Sequence, residues 1–249
     1  MEKTTVTVKC ADLPRPRRVW RLAAVLTLPL LLLMACTYQG TIDQPIMLKL
    51  TWFSYLNGDD IRQACAPGSP ETLRLVYNGN YNEQLRSYEI MGDGPGGATY
   101  TARVINGGGL DLTRFSISDP QAVAGWTVTR AQLTPAEMAE LVTALDKSGA
   151  FAPAPKGLRL ASEEFFWISA ACHQGAFHFN AWLNPTDRFA RLVFPEVLLR
   201  HDRTELAVNP PRVVVPADRP RTTSGDSDET PRFNLRVGDN GLMTGPGFP

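Results

Sequence analysis

Phe165-Phe-Trp-Ile-Ser-Ala-Ala-Cys-His-Gln-Gly-Ala-Phe-His-Phe-Asn-Ala-Trp-Leu183 is the stretch that decides the fold. Residues that favour extended chain lie on both sides of Gln174-Gly175, which predicts two antiparallel strands joined by a two-residue turn. In that register His173 faces Ala176, Cys172 faces Phe177 and Trp167 faces Trp182. Side chains alternate across a strand. One face therefore collects Phe166, Ile168, Ala170, Cys172, Phe177, Phe179, Ala181 and Leu183, and is apolar apart from the thiol. The other collects Trp167, Ser169, Ala171, His178, Asn180 and Trp182, with His173 and His178 expected on opposite faces. The apolar face is expected to meet a helix and to carry Cys172 inward, within reach of the Cys65 region. A slip of one residue would scramble this separation, so the register is testable.

The helix for that face lies just upstream. Thr134-Pro135-Ala136-Glu137 has a capping threonine, a proline suited to the first turn and a glutamate that completes a capping box. Met138, Leu141, Val142 and Leu145 recur at helical spacing until Lys147-Ser148-Gly149 stops the run. Asn184-Pro185 opens a second helix over 186–194, with Phe189, Leu192 and Val193 on one side and Pro195 expected to end or kink it. Leu73–Tyr77 and Asn80–Ile90 flank Asn78-Gly79, a dipeptide suited to a type I′ turn, and predict a hairpin. Thr99–Ile105 and Leu110–Ile117 predict a second hairpin, and Trp126–Leu133 a further strand. Ile46–Leu56 is apolar and β-favouring and ends at the turn signal Asn57-Gly58-Asp59-Asp60. The fold class expected is α+β: a twisted antiparallel sheet of several hairpins with two helices packed on it, plus a Pro/Gly-rich C-terminal tail.

Composition divides the chain of 249 residues. Residues 203–249 hold seven prolines, five glycines and the acidic patch 226–229, and are expected to form an extended or disordered tail. Within it Phe233, Leu235 and Val237 alternate, so a single strand could dock. The first 35 residues hold six basic and two acidic side chains. The remaining 214 then carry 19 basic against 23 acidic residues, a net of −4. That balance lacks the clustered cations needed for nucleic acid, which is excluded as the main partner.

The first 36 residues give the address. A basic region, Arg15-Pro-Arg-Arg-Val-Trp-Arg21, precedes the apolar run 22–35 and then Cys36. Fourteen helical residues span about 21 Å, short of the roughly 30 Å hydrocarbon core, and Pro29 interrupts them. This is the grammar of a secretory signal. Leu33-Met34-Ala35-Cys36 resembles the lipobox of bacterial lipoproteins, with Met34 an uncommon occupant of its position. The resemblance implies cleavage before Cys36, so that 1–35 is a signal peptide, and acylation of Cys36, including palmitate, with 36–44 as tether. Thr37, where an aspartate would imply retention at the inner membrane, implies the outer membrane with a domain of residues 45–202 facing the periplasm. Residues 59–90 resemble stretches of uncharacterised Gram-negative envelope proteins, a likeness that carries no functional residues. Of the four cysteines, Cys10 leaves with the signal and Cys36 takes the lipid. Cys65 and Cys172 are expected to pair in an oxidising compartment, the alternative being two independent buried thiols.

Chemistry is sparse. The chain has no Gly-x-Ser-x-Gly elbow, His-Glu-x-x-His, paired Cys-x-x-Cys or calcium loop. No catalytic residue, cofactor or metal ligand is assigned. His201-Asp202 and Asp59-Asp60 read as solvated pairs, and the glycine-rich patches 92–97 and 107–109 as turns. The one constellation that could hold a ligand is the polar-aromatic face Trp167, Ser169, His178, Asn180 and Trp182. Flat rings beside hydrogen-bonding groups suit a cell-wall glycan or an apolar partner, unless another layer covers the tryptophans. The function expected is a lipid-anchored cell-envelope protein with a non-enzymatic binding, accessory or structural role. Its partners would be the membrane, through Cys36, and another envelope protein or glycan. The alternative is an envelope hydrolase acting on cell-wall or lipid substrates.

Overall fold

A computed structural model of the chain describes residues 52–94, 96–106, 126–214 and 233–243. Cys36, the signal and tether segments, the strand expected at 110–117 and the acidic patch 226–229 lie outside these residues. A helical turn over 52–57 leads into α1 (Asp59–Ala64). Then come β1 (Thr72–Gly79), β2 (Gln84–Gly92), β3 (Ala98–Asn106), β4 (Thr127–Leu133) and α2 (Pro135–Lys147). They are followed by β5 (Arg159–Ala161), β6 (Phe165–His173), β7 (Ala176–Leu183), α3 (Asp187–Ala190), α4 (Phe194–Leu199), β8 (Asn234–Val237) and β9 (Leu242–Met243). The main sheet is antiparallel in the order β4-β3-β2-β1-β6-β7, and β5-β8-β9 form a second, small sheet. The fold is α+β.

The β6–β7 register is the one the sequence predicts: His173 pairs with Ala176, Cys172 with Phe177 and Trp167 with Trp182. Gln174 and Gly175 both take positive φ, 51° and 74°. At Gly175 a Cβ would meet the Pro67 backbone at 2.6 Å, so the turn packs against the loop after α1. The capping box of α2 is also formed, with Thr134 accepting from Glu137 N and the Glu137 carboxylate accepting from Thr134 N. Met138, Leu141, Ala144 and Leu145 are its buried face.

Both faces of the sheet are covered, and the assignment of the covers corrects the sequence reading. Helices α2 and α4 lie on the tryptophan face, where Met138, Leu141, Phe194 and Leu198 join Tyr77, Tyr88, Tyr100, Trp167 and Trp182 in one core. The apolar face of β6–β7 meets the 52–57 turn and the small sheet: Phe166, Ile168 and Phe179 pack with Trp52, Tyr55, Leu56, Leu235 and Val237. The physical reason is area. Two tryptophans bring more apolar surface than their polar neighbours remove, and each indole needs only one hydrogen-bond acceptor when buried.

Other differences are local. The β1–β2 turn lies at 80–83, after Asn78-Gly79: Gly79 still pairs with Gln84, and Asn80 takes the positive φ. Asn78 is buried instead, donating to the carbonyls of Ser162 and Glu164. Among the described residues β3 pairs with β4 as well as with β2. The second helix expected over 186–194 is confined to α3, and a short turn through Leu199, also expected, is α4, which Pro195 opens at a position where its missing N–H is harmless. The outer edge of β7 is closed by side chains. The Asn240 amide accepts from Phe179 N and donates to Phe177 O, and Arg188 donates to Ala181 O, which leaves little of that edge for another strand.

Residues 202–209 are bonded to the sheet. Arg86, fully buried on β2, donates to Asp202 Oδ2 at 2.7 Å and to the carbonyls of Leu206 and Ala207. Gln84 donates to Ala207 O, and the Tyr77 hydroxyl to Asn209 O at 2.7 Å. Burial pushes the Tyr77 and Tyr88 phenols well above their ordinary pKa, so they remain neutral donors, Tyr88 to Asp202. Downstream, β8 and β9 bring Leu235 and Val237 into the second core, which extends the docking strand expected there into a hairpin. Replacing Arg86 by methionine leaves the Asp202 carboxylate buried without its partner, a change worth about 3–5 kcal/mol. Urea unfolding of Arg86→Met is expected to show that loss, and Arg86→Met/Asp202→Leu a smaller one; equal stability of Arg86→Met and the parent chain would contradict the clamp.

Candidate functional site

The five residues of the expected ligand face do share one side of β6–β7, but as a seat for the helices. Trp167 is 3% exposed, with its ring 4.9 Å from Tyr77 and 5.2 Å from Phe194. Trp182, 1% exposed, lies 5.3 Å from Phe194 and donates its indole N–H to Ser148 O at 3.1 Å. Ser169 is buried beside Asn180 across the strand pair. Asn180 is fully buried and donates to Gly149 O and Ala152 O, at 2.8 and 2.9 Å. Neither tryptophan offers an open platform for a sugar ring. What these residues do is fix the turn that follows α2.

That turn forms one wall of an open hollow of about 510 Å³, lined by Lys147, Ser148, Gly149, Ala152, Pro153, Pro155, Arg188 and Arg191. The other wall comes from α3, which Thr186 caps by accepting from Phe189 N. Arg188 Nη2 donates to Asn180 Oδ1 at 2.8 Å, so the same buried amide holds both walls. Burial lowers the Arg188 pKa from its ordinary value. Among the described residues three cations and no carboxylate line the hollow, an arrangement that can hold an anion. Sequence reasoning missed it, although Arg188 and Arg191 stand one helical turn apart and the turn beside Lys147 was recognised.

The histidines correct a further expectation. His173 follows Trp167, Ser169 and Ala171 at period two, and His178 pairs with Ala171, so the two imidazoles share a face. Their centroids are 6.4 Å apart, with Phe151 stacked on His173 at 4.1 Å and edge-on to His178 at 5.4 Å. His173 Nδ1 meets Glu71 Oε2 at 2.8 Å, while Glu71 Oε1 accepts from Gln174 N. Among the described residues no three His, Cys, Asp or Glu side chains are grouped to hold a metal.

The other carboxylates singled out in the sequence are structural. Asp202 pairs with buried Arg86 instead of standing solvated beside His201. Asp59 accepts from Ser54 and Asn57, and Asp60 is bidentate to Arg74, at 2.7 and 2.8 Å. Burial of Arg74 works against its charge but is outweighed by Asp60, Tyr55 and Glu89, which hold its pKa above the ordinary value. Arg103 completes the cluster by pairing with Glu89.

Cys65 and Cys172 form a disulfide, with Cα atoms 5.5 Å apart, closing a loop of 107 residues beside Ile61 and Ala170. In the chain-entropy model a loop of that size is worth about 4–5 kcal/mol. No helix among the described residues is long and apolar enough to cross a membrane. The chain matches no family model, no curated protein and no solved structure.

Burial and the neighbouring His173 hold the His178 pKa below the ordinary value of 6.5. The unfolded chain then takes up a proton at a higher pH than the folded one. Stability contributed by the neutral imidazole is complete above about pH 6.5 and is lost as pH falls through the lower, folded value. Thermal melts of the parent chain from pH 7.5 downward should drop more steeply than those of His178→Gln, and parallel curves would contradict this assignment.

Proposed function

We propose that the chain is a lipid-anchored cell-envelope protein that acts by binding, in an accessory or structural role. The observation that carries this reading is the Cys65–Cys172 bridge, in a chain that also has Leu33-Met34-Ala35-Cys36 after a basic and an apolar segment. Disulfides persist in oxidising compartments such as the periplasm and are rare in the cytosol. A lipobox-type cysteine followed by Thr37 would place the anchor in the outer membrane, with the domain facing the periplasm. The bilayer, held through Cys36, is then one partner, and another envelope protein or a cell-wall glycan is the second.

A binding role is supported by what the buried charges do. Arg74 and Arg86 are engaged in ion pairs with Asp60 and Asp202 that tie remote segments to the sheet. The hollow beside α2 is open, and the charged side chains that line it among the described residues are cations. Intact-mass measurement on protein extracted from membranes tests the address. The expected product begins at Cys36 and carries a diacylglyceryl group and an added acyl chain; a polypeptide beginning at Met1 with an unmodified sulfur would overturn it.

A further inference from the structure

The hollow at the end of α2 gathers three cations, and no carboxylate lines it among the described residues. Arg74, Arg86, Arg103, Arg200 and Arg212 each face a carboxylate within ion-pair distance. Lys147, Arg188 and Arg191 form no ion pair among the described residues, although the chain downstream of residue 35 is acidic overall.

Arg188 is also held in place before any ligand arrives. Its guanidinium donates to Asn180 Oδ1 at 2.8 Å and to Ala181 O at 3.3 Å, and lies 5.9 Å from the centre of the Trp182 ring. A guanidinium has five N–H donors in a rigid fork, so the frame uses some of them and leaves others for the hollow. A half-buried cation with no carboxylate partner carries a desolvation penalty that an anionic ligand would relieve. Lys147 and Arg191 are exposed at the rim. Arg188 is therefore the fixed donor and the other two supply charge.

The end of a helix presents carbonyl oxygens, which would repel an anion. Here three of the last four are already occupied. Ala144 O accepts from Ser148, Leu145 O from Ala150 N, and Asp146 O from Gly149 N. Ser148 O and Gly149 O accept from Trp182 Nε1 and Asn180 Nδ2. The buried tryptophan and asparagine thus turn the negative end of α2 into a usable wall.

We propose that the hollow lined by Lys147, Arg188 and Arg191 binds a phosphate-type anion, a phosphomonoester or phosphodiester group. Planar guanidinium forks suit tetrahedral oxyanions, and about 510 Å³ accommodates a small phosphorylated headgroup. This deepens the binding role proposed above, and rests on it in so far as an envelope setting supplies such groups as lipid headgroups. Free phosphate offers the same chemistry.

The test uses the full chain, purified from membranes in an uncharged detergent. Inorganic phosphate and glycerophosphoglycerol are titrated by calorimetry at low salt. One bound anion per chain is expected, with affinity falling as salt is raised. Lys147→Gln/Arg191→Gln changes only exposed side chains and is expected to keep the parent melting temperature while binding about tenfold more weakly or worse. Arg159→Gln/Arg236→Gln, exposed on the small sheet, serves as the control and is expected to bind like the parent. Absence of binding by the parent, or equal weakening in both double variants, would overturn the proposal.

Hydrogen exchange at 147–155 and 188–191 then separates the sources. Protection in phosphatidylcholine nanodiscs only when phosphatidylglycerol is added assigns the site to a lipid headgroup. Protection by inorganic phosphate alone assigns it to a soluble anion. Calorimetry in detergent reports on the hollow, and intact mass reports on Cys36, so failure of either reading leaves the other standing.

Discussion

Two buried guanidinium groups, one on each face of the same sheet, set the terms for everything packed around it. Arg86 points into the core beneath α2 and α4, and Arg74 into the opposite layer beneath the 52–57 turn. A charge taken out of water must be met by opposite charge and hydrogen-bond acceptors, or it destabilises the fold by several kcal/mol. Neighbouring strand residues cannot supply all of these partners. Arg86 therefore draws in Asp202 and the carbonyls of 206 and 207, and Arg74 draws in Asp60 and Tyr55 O. The two arginines convert segments far away in sequence into fixed parts of the sheet. Neither pair need add much net stability over an apolar replacement. What each supplies is position, because only one docking of 55–60 or 202–209 satisfies it.

The same logic explains which parts of the fold were legible in the sequence. Local rules were sufficient for β6–β7, where alternation and Gln174-Gly175 leave one register, and for α2, where Thr134 and Glu137 mark the start. The pairing expected of Cys65 and Cys172 is also the one formed. Local rules failed where a residue's environment is set from a distance. Asn78-Gly79 has turn chemistry, yet Asn78 is committed to the carbonyls of Ser162 and Glu164, and the turn moves to Asn80. Proline-rich composition suggested that the chain beyond 202 was loose, because sequence alone does not reveal that Arg86, Gln84 and Tyr77 aim at its backbone. The tryptophans show the limit of binary patterning. Their face looked polar residue by residue, but by area it is the face that two helices cover.

For the candidate site the consequence is indirect. Trp182 and Asn180, read as ligand contacts, instead bind the carbonyls at the end of α2, and Asn180 also holds Arg188. The recognised face and the missed hollow are two sides of one construction. The buried side supplies rigidity, and the exposed side carries charge. Placed close to a bilayer by an acylated Cys36, such a surface would meet phosphate groups at high local concentration, which favours modest affinity and few contacts. The bridge between Cys65 and Cys172 fixes the far end of the same hairpin, next to Gly175 and the loop after α1.

Native-state hydrogen exchange tests the central claim most directly, that buried charge makes the segment after α4 an integral part of the sheet. Amides of 204–209 that are protected in the folded chain should exchange only through the opening that exposes β2, with matching free energies and a matching response to denaturant. Exchange of 204–209 at much lower free energy than β2, with Arg86 and Asp202 both present, would show that the segment detaches on its own and that the clamp is not what holds this fold together.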